Sequence, residues 1–78
     1  MNKKKAITDK DVIVYLVAEG KQIVDVKKDG KRSIVYFENN IYLDEAILRF
    51  INRTGKINIG DYIAAERRVK TMLCMQKE

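Results

Sequence analysis

Ile23-Val24-Asp25-Val26-Lys27-Lys28-Asp29-Gly30-Lys31-Arg32-Ser33-Ile34-Val35-Tyr36-Phe37 is the stretch whose reading decides the fold. Two runs rich in β-branched and aromatic residues flank Asp29-Gly30. Asp-Gly at such a junction predicts a two-residue type I′ hairpin, because both central residues need positive φ. That turn sets a register in which Lys28 faces Lys31, Lys27 faces Arg32, Val26 faces Ser33 and Val24 faces Val35. Val24, Val26, Val35 and Phe37 then share one face, the expected core face. Ile23, Asp25, Lys27, Arg32, Ile34 and Tyr36 share the other. Two strands alone are marginal in water, so helices are expected to cover the apolar face.

Upstream, Val12-Ile13-Val14-Tyr15-Leu16-Val17-Ala18 is apolar all round, and periodicity alone does not separate helix from strand there. The punctuation predicts a helix from about Asp9 to Glu19: Thr8 can cap it, Asp11 follows three residues later, and Gly20 stops it. Downstream, a second helix follows Asn39-Asn40. Its apolar stripe is Leu43, Ala46, Ile47, Phe50 and Ile51, with Glu45 placed to pair with Arg49, and Gly55 ends it. Asn58 is an N-cap for a third helix, with Asp61 in its first turn. Tyr62, Ala65, Val69, Met72 and Leu73 lie on one side of this helix. Arg67, Arg68 and Lys70 lie on its opposite flank. The predicted fold is α+β, a single small α-β-β-α-α domain with a two-stranded antiparallel hairpin covered by three helices. Residues 1–7 are expected as a disordered basic tail and residues 8–76 as the globular domain. The expected core is Ile13, Leu16, Val24, Val26, Val35, Phe37, Leu43, Ile47, Phe50, Tyr62, Val69 and Leu73.

The 78 residues suffice for one domain. Lys and Arg number 16 against 11 Asp and Glu, a net charge of +5. Removing Lys3, Lys4 and Lys5 leaves 13 against 11, so the expected folded part is only mildly basic. No run approaches the length of a membrane span, and no apolar signal-peptide core follows the N-terminal lysines, so a cytoplasmic protein is expected. Cys74 is the single cysteine and there is no histidine, so an intrachain disulfide is impossible and a zinc site improbable. Ser33 and Cys74 lack the histidine that usually activates a nucleophile. A non-enzymatic protein is expected, with no cofactor, no metal, no membrane and no small-molecule substrate.

The hairpin tip is the strongest functional hint. Lys27, Lys28, Lys31 and Arg32 surround one acid, Asp29, and the expected register sets like charges opposite one another. Such pairs destabilise a ribbon, and a phosphate backbone would relieve them. Solubilising lysines on an open sheet edge explain the same residues without a ligand. Arg67 and Lys70, one turn apart on the last helix, are supporting candidates, although a solvated helix face explains them equally. Tyr36 and Tyr62 could stack on bases, or could belong to the rim of the core. The expected function is therefore nucleic-acid binding, DNA or RNA, or an accessory role through the basic hairpin tip. The alternative is a protein-protein adaptor or small homodimer using Met72, Leu73 and Met75 on the apolar flank of the last helix.

The order of elements resembles a family of small bacterial, archaeal and phage-encoded domains of unknown function. The matching segments are Ala18-Glu19-Gly20, the hairpin closing on Val35-Tyr36-Phe37-Glu38, and Tyr62-Ile63-Ala64-Ala65-Glu66-Arg67-Arg68-Val69-Lys70. The resemblance spans Thr8 to Leu73 and implies a compact α+β domain, often from phages or mobile elements, without site residues to carry over. A weaker resemblance is to ribbon-helix-helix repressors, through Leu43, Ile47, Phe50-Ile51, Thr54-Gly55, Asn58, Asp61 and Ile63. It implies that Arg32 and Ser33 would read bases from a strand shared between two subunits. The complete hairpin within this chain departs from that pattern.

Overall fold

The computed structural model describes residues 3–75. Residues 1–2 of the expected tail and residue 76 of the expected domain lie outside them. The element order is β1 (Lys4–Ile7), α1 (Lys10–Ala18), β2 (Ile23–Asp29), β3 (Arg32–Glu38), α2 (Ile41–Asn52) and α3 (Ile59–Met75). The α+β class holds, but the sheet has three antiparallel strands in the order β1-β3-β2, not two.

The third strand comes from the segment expected as tail. Lys4, Lys5, Ala6 and Ile7 pair with Glu38, Phe37, Tyr36 and Val35. Lysines discourage a strand reading, yet on an edge strand they point to solvent and guard the open side. Here they are also anchored, Lys4 to Asp25 at 3.3 Å and Lys5 to Asp44 at 3.9 Å. Ile7 is the one residue of β1 that enters the core.

The hairpin adopts a register two residues away from the expected one. Asp29 pairs with Arg32, Lys28 with Ser33, Lys27 with Ile34 and Val26 with Val35. The loop is Gly30-Lys31. Gly30 has φ 65° and Lys31 does not have positive φ, the type II′ pattern with glycine at the first central position. Charge explains the choice. The expected register opposed Lys28 to Lys31 and Lys27 to Arg32, whereas the adopted one opposes an acid to a base at the tip. Toward the other end, a bulge between Ile23 and Asp25 gives β2 one extra residue, Val24. The bulge turns Val24 outward to 50% exposure and brings Ile23 opposite Phe37 against the core. The expectation that Val24 is a core residue is therefore corrected.

Helix α1 starts one residue later than expected. Asp9, not Thr8, is its cap, and its carboxylate accepts from the amides of Asp11 at 2.9 Å and Val12 at 3.4 Å. At its C-terminus Gly20 N–H donates to Val17 and Lys21 N–H donates to Leu16, the paired bonds of a Schellman ending. Contacts with both α2 and α3 account for its apolar circumference. Ile13, Val14, Tyr15, Leu16 and Val17 are all buried. Asn40 caps α2 through Leu43 N–H at 2.9 Å, and Asn58 caps α3 through Gly60 N–H at 2.8 Å.

Helix α2 ends at Asn52, short of Gly55. Arg53 takes the left-handed conformation at φ 59°, and Arg53 and Thr54 N–H groups close a second Schellman ending on Phe50 and Arg49. Gly55 has a different duty. A Cβ there would collide with the Tyr15 hydroxyl and fall 2.9 Å from its ring carbon Cε1, so only glycine lets this loop lie over Tyr15. Tyr15 also packs on Phe50, with ring centroids 5.5 Å apart. Its hydroxyl donates to Glu19. Arg49 clamps the same carboxylate with two bonds, Nη2 to Oε1 at 2.8 Å and Nε to Oε2 at 3.0 Å. Arg49 thus ties α2 to α1 in place of the expected pair with Glu45.

The core joins Ile7, Val35 and Phe37 of the sheet to α1, to Leu43 and Ala46 of α2, and to Ala65 and Val69 of α3. Val26, Ile47, Phe50, Tyr62 and Leu73 from the expected core pack at its margin. These side chains all sit on the Phe37 side of the sheet. Among the described residues, no helix packs a core on the Tyr36 side, where Ile34 and Tyr36 stay outside the core cluster.

Candidate nucleic-acid interface

Alternation along β3 puts Ile34 and Tyr36 on the face away from the core. Neither belongs to the core cluster, yet both are only partly exposed. The pairing sets Ala6 of β1 and Asp25 of β2 on either side of Tyr36, and Lys27 directly across from Ile34. The result is a short apolar and aromatic strip along the central strand of an open sheet.

Cations frame this strip. Lys4 Nζ lies 5.2 Å from the Tyr36 ring centroid and Lys27 Nζ lies 5.7 Å from it, one from each neighbouring strand. Both are cation–π contacts, worth about 0.5–1 kcal/mol at exposed sites. Lys4 is held in place by Asp25. The amide of Val26, at 2.8 Å, and then Lys4 hold the Asp25 carboxyl below the usual carboxylate range. Arg32 lies on the same face, opposite Asp29.

The charge of this face is balanced. Lys4, Lys27 and Arg32 are offset by Asp25, Asp29 and Glu38. The projecting tip is more positive, since Lys28 and Lys31 add two charges on either side of Asp29-Gly30. The tip also outreaches β1, which pairs only with Val35 to Glu38. Residues Lys27 to Ile34 therefore project as a two-stranded ribbon.

The structure brings together part of the expected site. Lys27 and Arg32 share the open face with Tyr36, Lys28 points to the opposite side with Ser33, and Lys31 is in the turn. Because Lys28 faces Ser33 and Lys27 faces Ile34, the like-charge frustration expected at the tip is absent. Arg67 and Lys70 are exposed on α3, in the helical layer that covers the other side of the sheet, and do not extend the open face. Sequence reasoning missed Lys4 because it placed the residue in a tail. The signal that could have found it is the alternation Lys4, Ala6 against Lys5, Ile7, which is a strand pattern with one buried end.

The expected protein-binding end of α3 is only partly available. Met72 and Leu73 pack against the core, while Met75 is 77% exposed. Arg67, Arg68, Thr71, Met72 and Met75 line a shallow open groove of about 430 Å³. Larger apolar exposure occurs on α2, where Ile41, Leu48 and Ile51 are 63%, 55% and 65% exposed. Ile51, expected on the packed stripe, belongs to this outward side.

Central β3 also separates the chain from the ribbon-helix-helix arrangement. The strand that carries Arg32 and Ser33 is already paired within the chain, with Asp29 and Lys28 of β2, and β1 occupies its other edge from Val35 to Glu38, unlike the single strand that each ribbon-helix-helix subunit contributes. Among the described residues no group of three His, Cys, Asp or Glu side chains is placed to hold a metal ion. No helix of the described residues is long and apolar enough to cross a membrane.

The chain belongs to the family described as Domain of unknown function (DUF5659), which matches residues 2–75. Curated proteins and solved structures give no match to it.

Proposed function

We propose that this is a non-enzymatic nucleic-acid-binding domain whose working surface is the open face of the sheet together with the projecting hairpin tip. The observation that carries this reading is Tyr36, left outside the core cluster and flanked on both sides by Lys4 and Lys27. Stacking a base on an aromatic ring is worth about 1–3 kcal/mol. That matches or exceeds the two cation–π contacts it would displace, together about 1–2 kcal/mol. The released ammonium groups would then be free to meet phosphates. Lys28 and Lys31 at the tip add long-range attraction.

Fluorescence anisotropy with labelled DNA and RNA, repeated from low to physiological salt, tests this. Five cations are available, Lys4 and the four of the tip, so the log–log salt slope for a single strand should reach no more than about −3.5. The doubly substituted K28A/K31A variant should bind more weakly and with a flatter slope. Absence of binding to any nucleic acid at low salt would end this reading.

A second reading has its own observation, the exposed Ile41, Leu48 and Ile51 on α2, which suits a protein-protein contact or a small homodimer. Leu48→Asp should abolish such association in sedimentation experiments. A chain that stays monomeric at high concentration before any substitution would remove the homodimer form.

A further inference from the structure

Resting on the nucleic-acid reading above, we infer that the ligand is a single, unpaired strand, with one base stacked on Tyr36 and the sugar-phosphate chain running over Lys4 and Lys27. Three features of the open face point this way. The first is its shape. Three strands spaced about 4.8 Å apart make a surface too broad for the minor groove of undistorted DNA, which is about 6 Å wide. The usual occupants of the major groove are a helix or a two-stranded ribbon, and the projecting tip has the second form. A duplex would therefore meet the projecting tip first, whereas Tyr36 stands farther back, where β1 joins the sheet.

The second feature is charge. Lys4, Lys27 and Arg32 against Asp25, Asp29 and Glu38 leave the face without the excess needed to hold densely charged duplex DNA. A balanced face with an aromatic centre gains its attraction from ring contact, and only an unpaired base offers its ring. The third is the composition of the strip. Ala6, Tyr36 and Ile34 supply small, aromatic and aliphatic contact in adjacent positions of β1 and β3. This is the sequence-tolerant chemistry of single-strand stacking platforms.

The experiment compares labelled oligo-dT and oligo-U with a mixed-sequence DNA duplex of equal length by anisotropy at low salt. The proteins are the full chain, Tyr36→Phe, Tyr36→Thr and K28A/K31A. Ile34→Thr serves as a second probe of the strip, and far-UV circular dichroism checks that each variant is folded. Expected are a preference for the single strands, near-unchanged binding in Tyr36→Phe, and a loss of about five- to hundredfold in Tyr36→Thr. Equal or stronger duplex binding that survives Tyr36→Thr but falls in K28A/K31A would overturn the stacking inference while leaving nucleic-acid binding intact. Single-strand binding indifferent to both Tyr36→Thr and Ile34→Thr would also overturn it. No binding to any of the three probes would remove this inference and the broader reading together.

Discussion

The two faces of β3 show how neighbouring residues of one strand come to different uses. Phe37 is 1% exposed and part of the core, while Tyr36, the next residue, is partly exposed on the other face between two lysines. The inner face is chosen by volume and hydrophobicity: Ile7, Val35 and Phe37 have no polar atom to satisfy. The outer face is chosen by mixed chemistry, an aromatic ring with a hydroxyl, cations and matched acids. Packing determines the first face and leaves the second free to serve recognition.

The sharpest way to break this contrast is to truncate each aromatic in turn. Phe37→Ala should cost about 3–5 kcal/mol, because it opens a cavity in a small core. Tyr36→Ala should cost less than about 1 kcal/mol of folding stability. Urea denaturation of both variants checks this, and comparable losses would mean that the outer face is also structural.

Next in size is Gly55→Ala. The new methyl meets the Tyr15 ring, so overpacking should destabilise the domain by about 1–3 kcal/mol without affecting ligand binding. Thermal melts and anisotropy on one sample separate the two effects.

The Tyr15-Glu19-Arg49 cluster gives a smaller effect with a defined pH window. Glu19 is held below its ordinary pKa of 4.5 by Arg49 first, against the opposing effect of burial. A carboxyl depressed in the folded state contributes stability that is present above 4.5 and is lost as pH falls through the lower folded value. Tyr15 is shifted the other way, above 10.0, by burial and then by Glu19. Its contribution is complete below 10.0 and fades as pH rises through the folded value. In Glu19→Gln, the acid-side loss below pH 4.5 should become shallower in denaturation measured across pH.

The smallest expected effect is a gain. Arg53 sits at φ 59°, where a side chain is strained, so Arg53→Gly should stabilise the domain by about 1 kcal/mol. A shift of the urea midpoint to higher concentration at constant slope is the expected readout.

Much of the fold was legible because local signals agreed. Gly20, Asn40 and Asn58 mark the ends of the three helices by hydrogen-bonding chemistry that depends on few neighbours, and the β-branched runs on either side of Asp29-Gly30 mark β2 and β3. What escaped depended on distant partners. Lys4–Ile7 is a strand because β3 offers it an edge and Asp25 and Asp44 receive its lysines. The hairpin register turned on the Asp29-Arg32 pairing, which outweighed the usual preference of Asp-Gly for a type I′ turn. Gly55 reads as a helix stop until Tyr15 is seen beneath it. At the candidate site, Lys27, Arg32 and Tyr36 were visible in the sequence. Their assembly with Lys4 was not, since it required the third strand.

The most direct test of the open face is amide NMR of the full chain titrated with a short unpaired oligonucleotide. The account predicts that the largest shifts fall on Ala6, Lys27, Ile34 and Tyr36, with smaller ones at the tip and little change along α2 and α3. Shifts centred on Arg67, Lys70 or the exposed side of α2, with the sheet silent, would contradict it.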